Sequence, residues 1–308
     1  MPGIVAIVGA TGVGKSALAL EIAERAGGEI VNADALQAYR GLDIGTAKPT
    51  AAERARVPHH LLDVIDPAER FSAGTFARLA DGVLEDLRAR ARPAIVVGGS
   101  GLYLRALFEG LAELPAVDPE VRKALDDRLG SEGLAPLRAE LERLDPATAA
   151  RLAPADTQRT LRALAVARST GRPLSWWLSR PMATPRWTPI RVGLTLPRRL
   201  LYDRLGSRLQ RMIEAGWLDE VRRLLADGVA PSAPAFQAIG YSEWVRHLAG
   251  ELDFEAAVER IGLATRRYAK RQETWFRREP GIEWRDARRT AGWSAEIAKR
   301  LEERGGSA

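Results

Sequence analysis

The eight residues Gly9-Ala10-Thr11-Gly12-Val13-Gly14-Lys15-Ser16 constrain this chain more than any other feature. They satisfy the phosphate-loop pattern G-x-x-x-x-G-K-S/T at every defined position. The context is also the one the pattern needs. Ile4-Val5-Ala6-Ile7-Val8 precedes it, a β-branched run without alternation that reads as a strand buried on both faces of a parallel sheet. A helix from Ser16 to Ala26 follows, closed by Gly27-Gly28. Backbone N–H groups of such a turn, together with the helix N-terminus, converge on one anion. Lys15 adds a positive charge and the Ser16 hydroxyl can ligate Mg²⁺. The loop recognises chained phosphates, which need not belong to ATP.

Glu29 to Asn32 and Ala94 to Val97 read as further buried strands, Leu61 to Ile65 as a weaker one, and Arg191 to Leu196 as a late one ended by Pro197. Strands alternating with helices define an α/β, doubly wound parallel sheet. Between them, Leu125, Leu129, Leu134, Leu137, Leu141 and Leu144 keep helical spacing with no convincing strand, and Pro181, Pro185 and Pro189 mark the exit. The expected organisation is a first core segment over 1–114, a helical insertion over 115–190, and the last core strand with C-terminal helices over 191–308. After Pro197 the chain reads as helical nearly to the end, with a frayed tail from Gly305 to Ala308.

A chain of 308 residues with 46% apolar residues is that of a globular protein, neither disordered nor fibrous. It has no cysteine, which excludes structural disulfides, Cys-based zinc sites and thiol nucleophiles and fits a cytoplasmic setting. No apolar run approaches the roughly 18 residues of a membrane helix, and no basic leader precedes the first strand. The net charge of +6 is unevenly spread. Residues 112–145 carry a net −4, residues 151–191 a net +7 with Asp156 their single acid, and residues 260–289 a net +6. Two basic blocks beside a phosphate loop favour a polyanionic partner, nucleic acid foremost.

In open α/β sheets ligands bind beyond the carboxyl ends of the strands. That rim offers the phosphate loop, Asp34 after the second strand, Ser100 after Val97-Gly98-Gly99, and arginines after Leu196. Asp34 suits a general base facing a second substrate, and equally a turn-forming or capping aspartate. Arg204 and Arg208 are either a further clamp on phosphate or an exposed helix face. A phosphoryl-transfer enzyme of this fold usually adds an acid after a hydrophobic strand to hold Mg²⁺. Here glycine follows Val97, and Asp63 and Asp66 flank only the weak strand, which leans away from ATP hydrolysis. Trp176-Trp177 and Trp275-Phe276 sit beside arginines and are either core residues or stacking surfaces for RNA bases. His59-His60 and His247 have no metal spacing, and Met212 fits core spacing.

Several blocks together resemble the tRNA dimethylallyltransferases: Gly9–Ser16, Asp34-Ala35-Leu36-Gln37 running through Asp43-Ile44-Gly45-Thr46-Ala47-Lys48-Pro49, Val97–Tyr103, Asp156–Leu164, Gln237–Tyr241 and Thr265–Gln272. They span nearly the whole chain in family order. The resemblance implies a P-loop NTPase-like fold and an enzyme that moves a dimethylallyl group from dimethylallyl diphosphate to N6 of the adenosine just 3′ of the anticodon, in tRNAs reading codons that begin with U. It implies that Gly9, Ala10, Thr11, Gly12, Val13, Gly14, Lys15 and Ser16 bind the diphosphate; the loop chemistry adds Mg²⁺ on Ser16, and Arg208 is the helix candidate to join them. Asp34 becomes the base. Asp34, Ala35, Leu36, Gln37, Ser100, Arg122, Gln158, Arg159, Thr160, Leu161 and Arg162 become the tRNA contacts. Ala35 stands where the family usually has serine, and Ser100 where threonine is common. Partners are then tRNA and the prenyl diphosphate, with no membrane and a monomeric chain expected. A small-molecule kinase, a prenyltransferase acting on free adenine nucleotides, and an RNA-binding protein with a vestigial loop are the competing readings.

Overall fold

The computed structural model describes residues 2–112, 114–180, 186–289 and 292–305. Pro181, Pro185 and the tail residues Gly306 to Ala308 lie outside them. Two compact units emerge, one of residues 1–108 with 185–308, the other of residues 109–184.

The first unit is built on six strands, β1 (Ile4–Gly9), β2 (Glu29–Asn32), β3 (His59–His60), β4 (Ala94–Val97), β5 (Ile190–Thr195) and β6 (Glu283–Asp286), in the order β3-β2-β4-β1-β5-β6 and parallel throughout. The central strands β1, β2 and β4 are buried almost end to end, which is why β1 and β4 read as unbroken apolar runs, while β2 buries Ile30 and Val31 between the polar Glu29 and Asn32. Helices α1 (Lys15–Ala26), α2 (Ala51–Arg56), α3 (Ala73–Ala89) and α4 (Gly101–Phe108) belong to this unit. The second unit holds α5 (Pro119–Glu132), α6 (Leu134–Leu144), α7 (Pro146–Arg151), α8 (Thr157–Thr170) and α9 (Leu174–Leu178). Helices α10 (Arg198–Glu214), α11 (Trp217–Ala226), α12 (Tyr241–Leu248), α13 (Phe254–Phe276) and α14 (Trp293–Gly305) return to the first. No helix among the described residues is long and apolar enough to cross a membrane.

Two sequence expectations need correction. The weak strand at Leu61 to Ile65 is not one. The third strand is His59–His60, and the following residues turn through left-handed backbone at Leu61 (φ 62°) and Asp63 (φ 57°) before a single bridge from Ile65 to Tyr39. Apolar side chains there serve packing rather than a ladder. The region after Pro197 is also not helical throughout, since Glu283–Asp286 adds an edge strand to β5.

Among the described residues, each unit is held by its own apolar cores. Val5, Ile7, Leu18, Ile22, Ile95 and Val192 seal α1 to the sheet. Trp217, Phe236, Tyr241 and Trp244 form an aromatic core shared by α11, α12 and α13. Leu125, Leu137, Leu141, Leu161 and Leu164 fill the second unit.

At the sheet's edge the buried Glu29 accepts two bonds from Arg90 (2.5 and 3.1 Å) and pairs with His60 Nε2 at 2.7 Å. The Arg90 guanidinium in particular holds its carboxyl near 2, against an ordinary 4.5. A depressed carboxyl contributes stability that is complete above the ordinary value and lost as pH falls toward the native one. The melting temperature of the wild type should therefore fall more steeply between pH 4.5 and about 2 than that of Glu29→Gln. Parallel curves from thermal denaturation would contradict this.

Candidate active site

A cavity of about 1010 Å³ opens at the carboxyl ends of the strands in the first unit, and Thr11, Gly12, Gly14, Lys15, Ser16, Asn32, Asp34, Gln37, Arg204 and Arg208 all line it. The phosphate loop forms one wall. Gly9, Gly12 and Gly14 have φ of 139°, 79° and 111°, which L side chains rarely adopt. A Cβ on Gly9 would sit 2.6 Å from the Leu194 carbonyl oxygen. The loop is braced from α13, where Gln272 accepts from the Thr11 N–H at 2.8 Å and donates to the Gly99 carbonyl at 2.9 Å. One amide thus ties the loop after β1 to the loop after β4.

Lys15 is half-buried, and its ammonium donates to the loop carbonyls of Gly9 (3.0 Å) and Ala10 (2.9 Å). Burial brings its pKa down to about 8, with the Asp34 charge working against that fall and the Arg208 charge adding to it. An anion seated on the loop supplies the counter-charge that this ammonium otherwise lacks.

Asp34 follows β2 and turns the chain there. Its Oδ1 accepts the Leu36 N–H at 2.9 Å, and Asn32 fixes its backbone at both ends, accepting from the Asp34 N–H and donating to the Asp34 carbonyl, each at 3.1 Å. Asp34 thus shapes a turn, as one sequence reading had it, and it also lines the cavity within electrostatic reach of Lys15. Ser100 Oγ accepts the Ala35 N–H at 3.3 Å, steadying the same turn from β4. The Asp34 charge also helps push up the hydroxyl pKa of Tyr103 and Tyr268, after their burial.

The segment from Asp43 to Lys48 arches over the cavity and is held by Glu220 and Trp217, which sequence reasoning missed, together with Lys48 and Gln37. The buried carboxylate of Glu220, on α11, accepts from the N–H groups of Asp43, Ile44 and Gly45 (2.8, 2.7 and 3.3 Å) and from the Tyr241 hydroxyl at 2.6 Å. The fully buried Lys48 ammonium donates to Asp43, Asp63 and the Tyr39 carbonyl at 2.6, 2.6 and 2.8 Å. Gln37 donates to the Thr46 and Ala47 carbonyls, each at 3.1 Å. The Trp217 indole is wedged against the arch, so a Cβ on Gly45 would lie 2.0 Å from its Nε1. Gly45→Ala should cost about 1–3 kcal/mol by overpacking. Thermal melting reads this directly, and an unchanged midpoint would contradict the fit.

On α10, Arg204, Arg208 and Arg211 line the cavity at i, i+4 and i+7. Arg208 is largely buried and reaches both the loop (Thr11 Oγ1, 3.4 Å) and the arch (Thr46 carbonyl, 3.4 Å). Burial lowers its pKa from the usual value. It is not on an exposed helix face. Arg204 is exposed yet donates to the Val13 carbonyl at 3.4 Å. Neither has a carboxylate partner among the described residues.

Asp63 offers no metal-holding acid, because Lys48 and Arg54 take its two oxygens. Phe276 is buried, and Trp275 is wedged against Gly101 with Arg105 over its ring at 4.7 Å, so this pair is core rather than a free stacking surface. His59 bonds the Val57 carbonyl and His247 the Leu252 carbonyl.

In the second unit, Asp156 caps α8 by accepting the Arg159 N–H at 3.1 Å. Gln158, Arg159 and Arg162 are exposed on that helix. Thr160 and Leu161 are not: both side chains are buried in the unit's own core, so, against their assignment as tRNA contacts, neither offers its side chain to an RNA. Arg122 is half-buried on α5 and paired with Asp126.

This arrangement defines a phosphate-loop α/β protein with a P-loop NTPase-like fold and a carboxylate, rather than a second metal-holding acid, across the cavity from the loop lysine. Residues 37–279 match the family model for IPP transferase, and residues 2–69 that for isopentenyl transferase. The chain belongs to the IPP transferase family. It is 48% identical to the tRNA dimethylallyltransferase of Geobacter metallireducens over 91% of each chain, and 45% identical to that of Thermomicrobium roseum over 97% of this chain and 90% of the other. Its fold is similar to the crystal structure of tRNA isopentenylpyrophosphate transferase from Bacillus halodurans (TM-score 0.71, 36% identity, 98% of each chain). It is also similar to a eukaryotic dimethylallyltransferase studied acting on tRNA (TM-score 0.79, 28% identity, 97% of this chain and 77% of the other).

Proposed function

We propose that this protein transfers a dimethylallyl group from dimethylallyl diphosphate to the exocyclic N6 of an adenosine in tRNA, the one just 3′ of the anticodon. The observation that carries this reading is the placement of Lys15 and Asp34 on the walls of one cavity. The adenine amine is a poor nucleophile because its lone pair is delocalised into the ring. As N6 forms its bond to the allylic carbon, its proton passes to the Asp34 carboxylate, and the electron pair of the breaking C–O bond leaves with diphosphate. The loop N–H groups, Lys15 and Arg208 meet the charge that develops on that leaving group. The target base is flipped out of its stack to reach Asp34.

The residues present fit a Mg²⁺ ion. The Ser16 hydroxyl lines the cavity beside the loop, and Mg²⁺ is commonly held by one or two protein oxygens with phosphate and water supplying the rest. When bound, it supplies charge neutralisation on the diphosphate. The exposed Gln158, Arg159 and Arg162, with Arg122, are the tRNA-facing candidates of the second unit.

Incubation with Mg²⁺, dimethylallyl diphosphate and unmodified tRNA, followed by nucleoside mass analysis, should show one prenylated adenosine. ATP in place of the prenyl donor should give no product. ATP turnover with a small acceptor and an unmodified tRNA pool would overturn the reading in favour of a kinase.

A further inference from the structure

The exposed tryptophan of the second unit has no role in the chemistry above. Trp176 lies on α9 and leaves 39% of its surface exposed, while Trp177 meets its ring edge-on at 4.9 Å. Two guanidinium groups sit over the Trp176 ring, Arg172 at 5.3 Å and Arg180 at 5.2 Å, and Arg180 also reaches Trp177 at 5.7 Å. The mounting is rigid. Trp177 Nε1 donates to Thr170 Oγ1 at the end of α8 (3.2 Å), and the buried Asp145 carboxylate accepts the Ser175 N–H at 2.9 Å.

Some arginines of this unit are neutralised, while Arg143, Arg151 and Arg162 have no carboxylate partner among the described residues. Arg122, Arg128, Arg138, Arg159 and Arg168 each pair with a carboxylate. Arg172 and Arg180 have none among the described residues. Stacking on an indole costs a guanidinium little of its hydration, restricts its rotamers and leaves its N–H fork pointing outward. That is a preorganised receptor for phosphate oxygens rather than a stabilising ion pair. The surrounding block is charged to match, since residues 151–191 carry a net +7 and their one acid, Asp156, is occupied as the α8 cap.

We infer that Arg172, Trp176 and Arg180 form a second RNA contact, binding the phosphate backbone of the tRNA outside the loop that carries the target adenosine. This rests on the tRNA reading above. Its position follows from α8. That helix has 14 residues and so runs about 21 Å, with exposed Gln158, Arg159 and Arg162 in its first turns and the Trp176 cluster at its far end. RNA held at both ends is gripped over several base pairs, which fixes its register without reading its sequence.

Fluorescence anisotropy with the full chain and a labelled anticodon stem-loop tests this across a range of salt. The double variant Arg172→Gln with Arg180→Gln should bind about tenfold more weakly near physiological salt, and its log-affinity slope against log salt should be shallower by about 1.5–2, the signature of two lost phosphate contacts. Trp176→Ala keeps both charges and should still lose about threefold, because the guanidinium groups are no longer held. Trp176→Phe should recover most of that loss. An unchanged far-ultraviolet circular dichroism spectrum and melting temperature report that each variant is folded.

A Trp176→Ala protein that binds like the wild type would overturn the inference, as would an arginine double variant with an unchanged salt slope. A change of oligomeric mass on Trp176→Ala in sedimentation would overturn it in favour of a contact between copies of this chain. If the wild type itself binds no tRNA, the proposed function fails with it. If the wild type binds and prenylates tRNA while every variant does the same, only this inference fails.

Discussion

Asp34→Asn should lower the single-turnover rate of prenyl transfer by about a thousandfold, within the 10²–10⁴ range that a positioned base provides. The substitution is isosteric, and an Asn side-chain oxygen can still accept the Leu36 N–H that Asp34 Oδ1 holds at 2.9 Å, so the turn after β2 survives. Only the capacity to take the N6 proton is lost. Binding of tRNA should be nearly intact, which separates a chemical defect from a misfolded rim. A second consequence has a defined sign. The Asp34 charge raises the Lys15 pKa against the effect of burial, so its removal should leave the Lys15 ammonium easier to deprotonate in the ligand-free protein. Near-normal turnover in the variant would contradict the assignment of Asp34 as base.

Lys15→Met should cost about 10²–10³ in turnover, the scale seen when one preorganised donor to a developing anion is removed. Unlike most core-reaching substitutions, it should leave the melting temperature unchanged or raise it. The wild-type ammonium is desolvated against two carbonyls and has no carboxylate ion pair among the described residues, so that desolvation is a cost to the empty protein. Methionine fills similar space without that cost. A protein that melts at least as high as the wild type and barely turns over would show a site arranged for its anion at the expense of its own stability. A variant that loses stability and activity in parallel would instead make Lys15 a structural brace.

The phosphate loop and the central strands could be read from sequence because their signals are local. β1 and β4 are buried on both faces, so every residue is apolar, and the loop's glycines are required by backbone geometry within a few residues. Glu283–Asp286 could not be read this way. It is an edge strand of charged residues around one tryptophan, paired on one side only, and its β character comes from β5 rather than from its own composition. Leu61 to Ile65 misled in the opposite direction, with apolar residues that pack from an irregular turn.

The candidate site divides in the same manner. Lys15, Ser16 and Asp34 follow from position at the strand ends. Glu220 lies far along the chain from the arch it holds, and in sequence it is only an acid in the first turn of a helix, where acids are ordinary. Its signal was the arch it holds: Asp43–Lys48 is too specific a block to be a loop without a fixed shape, which asks for buried partners elsewhere. Gln272 was within a block already singled out, yet its bond to the Thr11 N–H needs the fold to bring α13 against β1. Thr160 and Leu161 show the limit of carrying a motif over whole. A helical block alternates between partner-facing and core-facing positions, and here Gln158, Arg159 and Arg162 are outward while Thr160 and Leu161 are inward.

The most direct measurement is a structure of this protein with a thiolo analogue of dimethylallyl diphosphate, which cannot readily ionise, and an anticodon stem-loop. The diphosphate should lie on the backbone N–H groups from Thr11 to Ser16 with Lys15 turned from the Gly9 and Ala10 carbonyls toward it, and the N6 of an extruded adenine should be within hydrogen-bond reach of Asp34. A diphosphate seated elsewhere, or an adenine whose N6 faces away from the Asp34 carboxylate, would contradict the account.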